Sequence, residues 1–576
     1  MKSFSTHILA TINLIFWGIL SAYSQPHYNW VKSVVGVYTD TAYCVETDEQ
    51  GNVYVAGRFS RQANFNPNGE GGRLTADGPY GEHGFLLKYN SLGNFVWVKK
   101  IAGPFETIFN KLLLKNGNIL LLGHFRGTAD FDPGPDQHLL NQNLYGVSPF
   151  VAKYDTAGNF IWARTFNSGG VLGEFGLSHL FLTTAVCTKQ DEYYVIGSFK
   201  DTIDFDPGLN SHNMISKGEV VLCILKLSTD GKFVWAKQHP GSQFDWLLSG
   251  DIDSNDEIVL AGSFSNTISF NRITDTLRFT SHHGSTDIFV AKFDTTGNVL
   301  WANQFGSINY DYLKKLKIDA NDNIITMTYN GDSMDIDPSQ NMFILSQGNA
   351  ISKFDSSGRL IWAKRFLEDH KGSMIDFATD FDNNIYATGG FNDSVSVNPD
   401  NPQDKIYPKG HTDFFILKLD QYGAYNWSVS ITSNSVYKLA NAITIDMAGS
   451  IYTTGVFFDT VDFDPSPEVK NLYGINYSEV FVLKLGKFPN TKTHEINNIV
   501  PLVNTYPNPV NEKLYIEVLS KADLRLNLYT ISGQLVEKGL YKFNSTELDM
   551  RALQPGLYFL SICIGEECKV FKIVKQ

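Results

Sequence analysis

The sequence is short of cysteine, of positive charge and of long apolar runs, and each shortage closes a class of function. Only five of its 576 residues are cysteine. No two form a Cys-x-x-Cys pair, which excludes a cysteine-rich zinc site. Lys and Arg number 47 against 60 Asp and Glu, a net charge of −13, and no basic block occurs. A footprint for nucleic acid is therefore missing, and adhesion to an anionic membrane surface is disfavoured. There is no Gly-x-Ser-x-Gly elbow, no His-Glu-x-x-His and no phosphate-binding loop. One apolar run stands out, residues 8–20, too short to span a bilayer comfortably. With Lys2 ahead of it and Ala22-Tyr23-Ser24 behind, residues 1–24 read as a signal peptide, and Gln25 or a neighbour becomes the first mature residue.

What the chain does have is a repeat. A β-rich run ending in Gly and often an aromatic first appears as Asn52-Val-Tyr-Val-Ala-Gly57-Arg-Phe59. It recurs at 118–125, 192–199, 257–264, 384–391 and 450–457, with a degenerate copy at 323–329. The seven copies are separated by 61 to 74 residues. A second element follows the first six, as in Phe150-Val-Ala-Lys-Tyr-Asp-Thr-Ala-Gly158-Asn-Phe-Ile-Trp162. Its Gly-xxx-Trp spacing holds at Gly93/Trp97, Gly158/Trp162, Gly231/Trp235, Gly297/Trp301, Gly358/Trp362 and Gly423/Trp427. Period-two alternation bounded by turn residues argues strands. Each repeat then encodes four antiparallel strands, A to D, which is one propeller blade.

The seventh repeat stops after its third strand, at 480–485, while Tyr28-Asn-Trp30-Val-Lys-Ser near the start has the pattern of a strand D. The expected fold is all-β: a seven-bladed β-propeller over 25–488 whose N-terminal strand closes the last blade. Closure of this kind removes open sheet edges. A linker at 489–502 and a small C-terminal β-sandwich at 503–576 follow. Cys44, Cys187 and Cys223 lie in apolar strand patterns and are expected in the core. Cys563 and Cys568 flank a turn, either as a cross-strand disulfide or as two thiols. The odd count leaves at least one thiol free.

On these residues the repeats resemble bacterial seven-bladed propeller repeats of the SBBP type, over about residues 26 to 488. That resemblance implies a fold and no activity. The Gly-xxx-Trp element also resembles the tryptophan-docking motif of quinoprotein propellers, where it packs blades together. Seven repeats and the lack of an adjacent cysteine pair count against a bound quinone. The tail carries Tyr506-Pro-Asn-Pro509, Ile531-Ser-Gly533-Gln, Gly556-Leu-Tyr and a terminal Lys-rich strand. In that order these resemble the type A C-terminal sorting domain of the Bacteroidetes type IX secretion system. The resemblance implies export, engagement of the secretion machinery through residues 503–576, usual removal of the tail, and a product either secreted or fixed to the outer surface.

Two sets of side chains are candidates for chemistry. Asx-aromatic-Asx-Pro follows strand B, as Asp130-Phe-Asp132-Pro133, Asp204-Phe-Asp206-Pro207 and Asp462-Phe-Asp464-Pro465, with Asn or Ser variants elsewhere. Paired carboxylates suit Ca²⁺. The competing and favoured reading is a turn, in which the Asx binds local backbone and Pro fixes direction. No cofactor is otherwise expected. The second set precedes strand A: Asp40, Glu106, Asp245 and Asp311, with Trp246 and Tyr312 beside two of them. Carboxylates next to aromatics at a channel mouth suit a sugar or a cationic ligand. The bland alternative is that they satisfy backbone groups. His282-His283 reads as a solvated loop pair. The expected function is a secreted or surface-attached binding propeller for a glycan or protein ligand. The alternative is an extracellular hydrolase or lyase at the channel mouth, because a carboxylate pair for glycoside cleavage needs no local motif.

Overall fold

The structure is a computed structural model of the chain. It describes residues 25–486 apart from 78–81, 102, 104, 142–146, 169–179, 218, 272–275, 340, 368–369 and 475–476, and then 503–575 apart from 507–508, 519–522, 531–534, 543–544 and 565–566. The expected signal peptide and linker lie outside the described residues. The chain divides into two compact units, Met1–Phe488 and Pro489–Gln576.

Alternating apolar and polar residues, punctuated by Asx and Gly, fold the first unit into antiparallel hairpins. The first sheet runs Thr41–Thr47 (A), Val53–Ser60 (B), Glu82–Tyr89 (C) and Phe95–Ile101 (D), neighbours in that order. Five more sheets follow the same plan, with A strands Thr107–Lys115, Leu180–Cys187, Gly241–Ile252, Tyr312–Ile318 and Gly372–Thr379. A seventh takes Lys438–Ile445, Ile451–Phe457 and Glu479–Gly486 from the end of the unit and His27–Gly36 from its beginning. In that pairing Trp30 lies opposite Lys484 and Val34 opposite Val480. This repetition of four-stranded antiparallel sheets is a β-propeller architecture.

The hairpin turns explain the recurring Asx and Gly. Asp155 Oδ1 accepts the N–H groups of Ala157 and Asn159 at 2.9 and 2.8 Å, and Gly158 takes φ +79°. That left-handed residue serves a second purpose, because the tryptophan of the preceding sheet lies on it. A Cβ at Gly231 would stand 2.8 Å from the Trp162 ring, and one at Gly93 2.7 Å from Trp30. Trp162 and Trp30 also donate Nε1–H to the carbonyls of Thr229 and Ser91, at 3.1 and 3.3 Å. The last contact takes strand D of the seventh sheet onto the first. One apolar cluster accordingly joins Trp30, Val34 and Val482 to Ala42, Val55 and Leu87. B strands such as Tyr193–Phe199 are buried along their whole length, with neighbours on both edges and both faces.

The stretches between strands B and C fold part of their length into short hairpins. Gln62–Asn64 pairs with Arg73–Thr75, and Thr128–Asp130 with Leu139–Asn141. The second unit is two sheets, one of three strands and one of four, sharing a core of Leu514, Ile516, Leu526, Leu548 and Leu560. Its register sets Cys563 directly opposite Cys568, whose side chains lie outside the described residues.

Candidate functional site

Among the described residues, six A strands carry a one-residue register shift at the same place, after Ala42, Phe109, Leu182, Leu313, Met374 and Ala440, and the fourth shifts earlier, between Phe244 and Leu248. A bulge re-aims the following side chain. One cavity of about 190 Å³ is lined by Cys44, Lys111, Thr184, Ser249, Lys315, Asp376 and Asn441, one from each A strand. Its wall is stitched across sheets. Lys315 pairs with Asp376, whose other oxygen accepts Ile443 N–H at 2.9 Å. Asn441 Nδ2 donates to Ala42 O at 2.9 Å, tying the seventh sheet to the first. Cys44, expected in the core, lines this cavity, while Cys187 and Cys223 are buried.

A larger pocket of about 510 Å³ lies at the loop-bearing ends of strands in sheets five to seven. Tyr329, His370, Ser373, Asn392 and Leu439 line it, and Ile375 lines both it and the central cavity. Tyr312 stacks on Tyr329 with centroids 6.4 Å apart and planes 28° apart, and Tyr310 stacks on Tyr312 at 6.4 Å and 7°. The ladder runs outward to Tyr310, which is 60% exposed. Tyr329 and Tyr312 are cross-strand partners, a pairing that no local pattern announces.

The acids beside these tyrosines turn inward. Asp311 is fully buried and accepts from Ser307 N–H and Oγ–H and from Gly331 N–H. Burial raises its pKa to about 6, against those bonds, which lower it. Asp40 is likewise buried and accepts Ser60 N–H at 3.0 Å. Burial raises it to about 8, opposed by the Ser60 bond and assisted by the Glu479 carboxylate. Both bind backbone at the seam between sheets, the alternative weighed beside a ligand role. Glu106 pairs with Arg126 at 3.4 Å and is partly exposed. The side chains of Asp245 and Trp246 lie outside the described residues.

The Asx motifs form the first half of the short hairpins. Asp130 Oδ1 accepts Asp132 N–H at 3.1 Å and His138 N–H at 2.9 Å, while Asp132 Oδ1 accepts Gly134 N–H at 2.8 Å. Asp204 and Asp206 repeat this with His212 and Gly208, and Asp462 and Asp464 with Lys470 and Ser466. Asn64 accepts Asn66 N–H in the same way at 3.1 Å, so the turn needs no charge. Phe131, between the two acids, is buried. Among the described residues no three His, Cys, Asp or Glu side chains converge as metal ligands do. His282 and His283 are both exposed, and the Nδ1 of His282 meets the buried Asp287 at 2.7 Å, a carboxylate that Gln304 Nε2 also reaches at 2.6 Å.

Residues 504–576 match the family described as the secretion system C-terminal sorting domain. The chain carries a type IX sorting domain. That domain sends the protein to the cell surface or exterior and implies engagement of the type IX machinery. Among curated proteins, the uncharacterized WD repeat-containing protein L264 of Acanthamoeba polyphaga mimivirus is 22% identical over 518 residues, 74% of this chain. The match covers 36% of the viral protein, so the chain spans about a third of that relative. Among solved structures, the WD40 domain of Pan2 from Neurospora crassa is 10% identical, covering 81% of this chain and 98% of that one, with a TM-score of 0.36. PorZ, a surface component of the type IX system of Porphyromonas gingivalis, is 9% identical over 93% of this chain and 81% of its own, with a TM-score of 0.21. None of these likenesses assigns an activity.

Proposed function

We propose that the exported protein is a glycan-binding propeller, with SBBP-type blades closed into a ring of seven and export begun by a signal peptide. Its site is the tyrosine ladder of Tyr310, Tyr312 and Tyr329 together with the pocket it borders. The stacking of the three rings beside that pocket is the observation that carries the reading. Aromatic faces offer rigid, partly wet apolar area at little conformational cost, suited to the C–H faces of a pyranose. Ser373, Asn392 and His370 supply polar groups along the pocket for sugar hydroxyls. Hydrolysis is the weaker reading, because the two acids with raised pKa are buried at the seam, Asp311 bonded to Ser307 and Gly331 and Asp40 to Ser60 N–H. A screen of neutral and acidic polysaccharides against the full chain tests this. A binding polysaccharide should lose affinity about tenfold or more in Tyr310→Ala and Tyr312→Ala, as aromatic anchors do. Binding untouched by both changes would remove the ladder from the site, and release of reducing ends would restore the hydrolase.

A further inference from the structure

The central cavity holds a charge arrangement that the ladder does not use. Lys111 enters it from the second sheet and Lys315 from the fifth, with Lys317 two residues along the same strand. In a ring of seven, sheets two and five face each other across the lumen. Lys315 and Lys317 each meet a carboxylate, Asp376 and, at 3.8 Å, Asp251. Lys314 donates to neutral oxygens, Asn349 Oδ1 at 2.9 Å, Ser373 Oγ at 2.5 Å and Met374 O at 2.8 Å. The Lys111 ammonium makes no ion pair or hydrogen bond among the described residues. Burial lowers its pKa, and the charges of Lys317 and Lys315 lower it further, with Glu46 and Cys44 opposing. A half-buried, solitary ammonium near two others, within a chain of net charge −13, is an arrangement completed by an anion.

We propose that the central cavity is an anion site, in which Lys111 and, across the lumen, Lys315 hold a small oxyanion of the sulfate or phosphate class. The ion relieves the repulsion among the lysines, and partial burial makes each charge-assisted bond stronger than at the open surface. Glu46 shares the wall and opposes the ion, which gives the test a sign. Because Ile375 lines both cavities, the same chemistry has two sources, a free ion or the acidic group of a glycan seated at the mouth.

The full chain is titrated with sodium sulfate against sodium chloride at equal ionic strength, followed by calorimetry and thermal unfolding. Sulfate is expected to bind and to raise the Tm where chloride does not. Lys111→Met should weaken binding about tenfold or more, the size of a lost charged contact. Lys111→Arg should retain it, and Glu46→Gln should tighten it. Tyr310→Ala, outside this cavity, should leave sulfate binding unchanged, so failure of the glycan reading leaves this one standing. If Lys111→Met weakens a sulfated dextran more than a neutral one, the glycan's acidic group is a source as well as the free ion. Sulfate no better than chloride, sulfate binding that survives Lys111→Met, or weaker binding in Glu46→Gln would each overturn the proposal.

Discussion

The two ends of each sheet follow different rules. At one end the chain turns through A–B and C–D hairpins, and the same solution recurs: Asp48, Asp319, Asp380 and Asp446 each accept the N–H four residues on. At the other end lie the D–A and B–C connections, and equivalent places diverge. Asp40, Asp311 and Lys438 stand eight residues ahead of Asp48, Asp319 and Asp446. Two are buried carboxyls against neighbouring acids, and the third is a lysine paired with Asp413, both fully buried. A turn admits few residues because its backbone angles and orphan N–H groups are fixed. A seam between sheets admits either charge provided it is satisfied, so this end is free to acquire a site.

Four substitutions break or sharpen that contrast. The largest effect belongs to the regular end: Trp162→Ala, emptying the space over Gly231, should cost about 3–5 kcal/mol in denaturant unfolding of the propeller. Next comes the seam. Asp40 has a folded pKa of about 8, above its unfolded value, so the folded state holds the extra proton between the two. Stability is full below the unfolded pKa and declines as pH rises through about 8, by at most about 1.4 kcal/mol per unit. Asp40→Asn, facing Glu479, Ser60 and Ser478, should flatten that slope in urea melts run from pH 5 to 9. A smaller effect is expected at the Asx hairpin: Asp132→Ala loses one turn bond, about 1 kcal/mol, while Asp132→Asn is neutral and calcium shifts the Tm of neither. Smallest is Tyr310→Ala, within about 0.5 kcal/mol of the parent in stability because the ring is exposed, while glycan affinity falls.

How much was legible in the sequence follows the same division. The strands, the Gly-xxx-Trp element and the pairing of the Trp30 strand with Glu479–Gly486 were readable, because turn chemistry and period-two burial leave a mark in every copy. The short hairpins after strand B were not, since strands of two or three residues have no periodicity to show. Asp40 and Asp311 were recognised as recurring, but their backbone partners were not readable. A carboxyl before a strand looks the same whether it meets solvent or backbone, and only the packing of the neighbouring sheet decides. Tyr329 and Lys111 were missed because the residues they meet come from other strands or other sheets, and Cys44 faces the lumen through a bulge that no local pattern announces.

The account depends most on the strand His27–Gly36 completing the last sheet and lying on the first. A photo-crosslinking residue in place of Lys32, opposite Val482 and against the Gly93 turn, tests this directly in the full chain. Peptide mapping should recover cross-links within 479–486 or beside Gly93. Cross-links found only in sheets two to six, or only in the C-terminal unit, would contradict it.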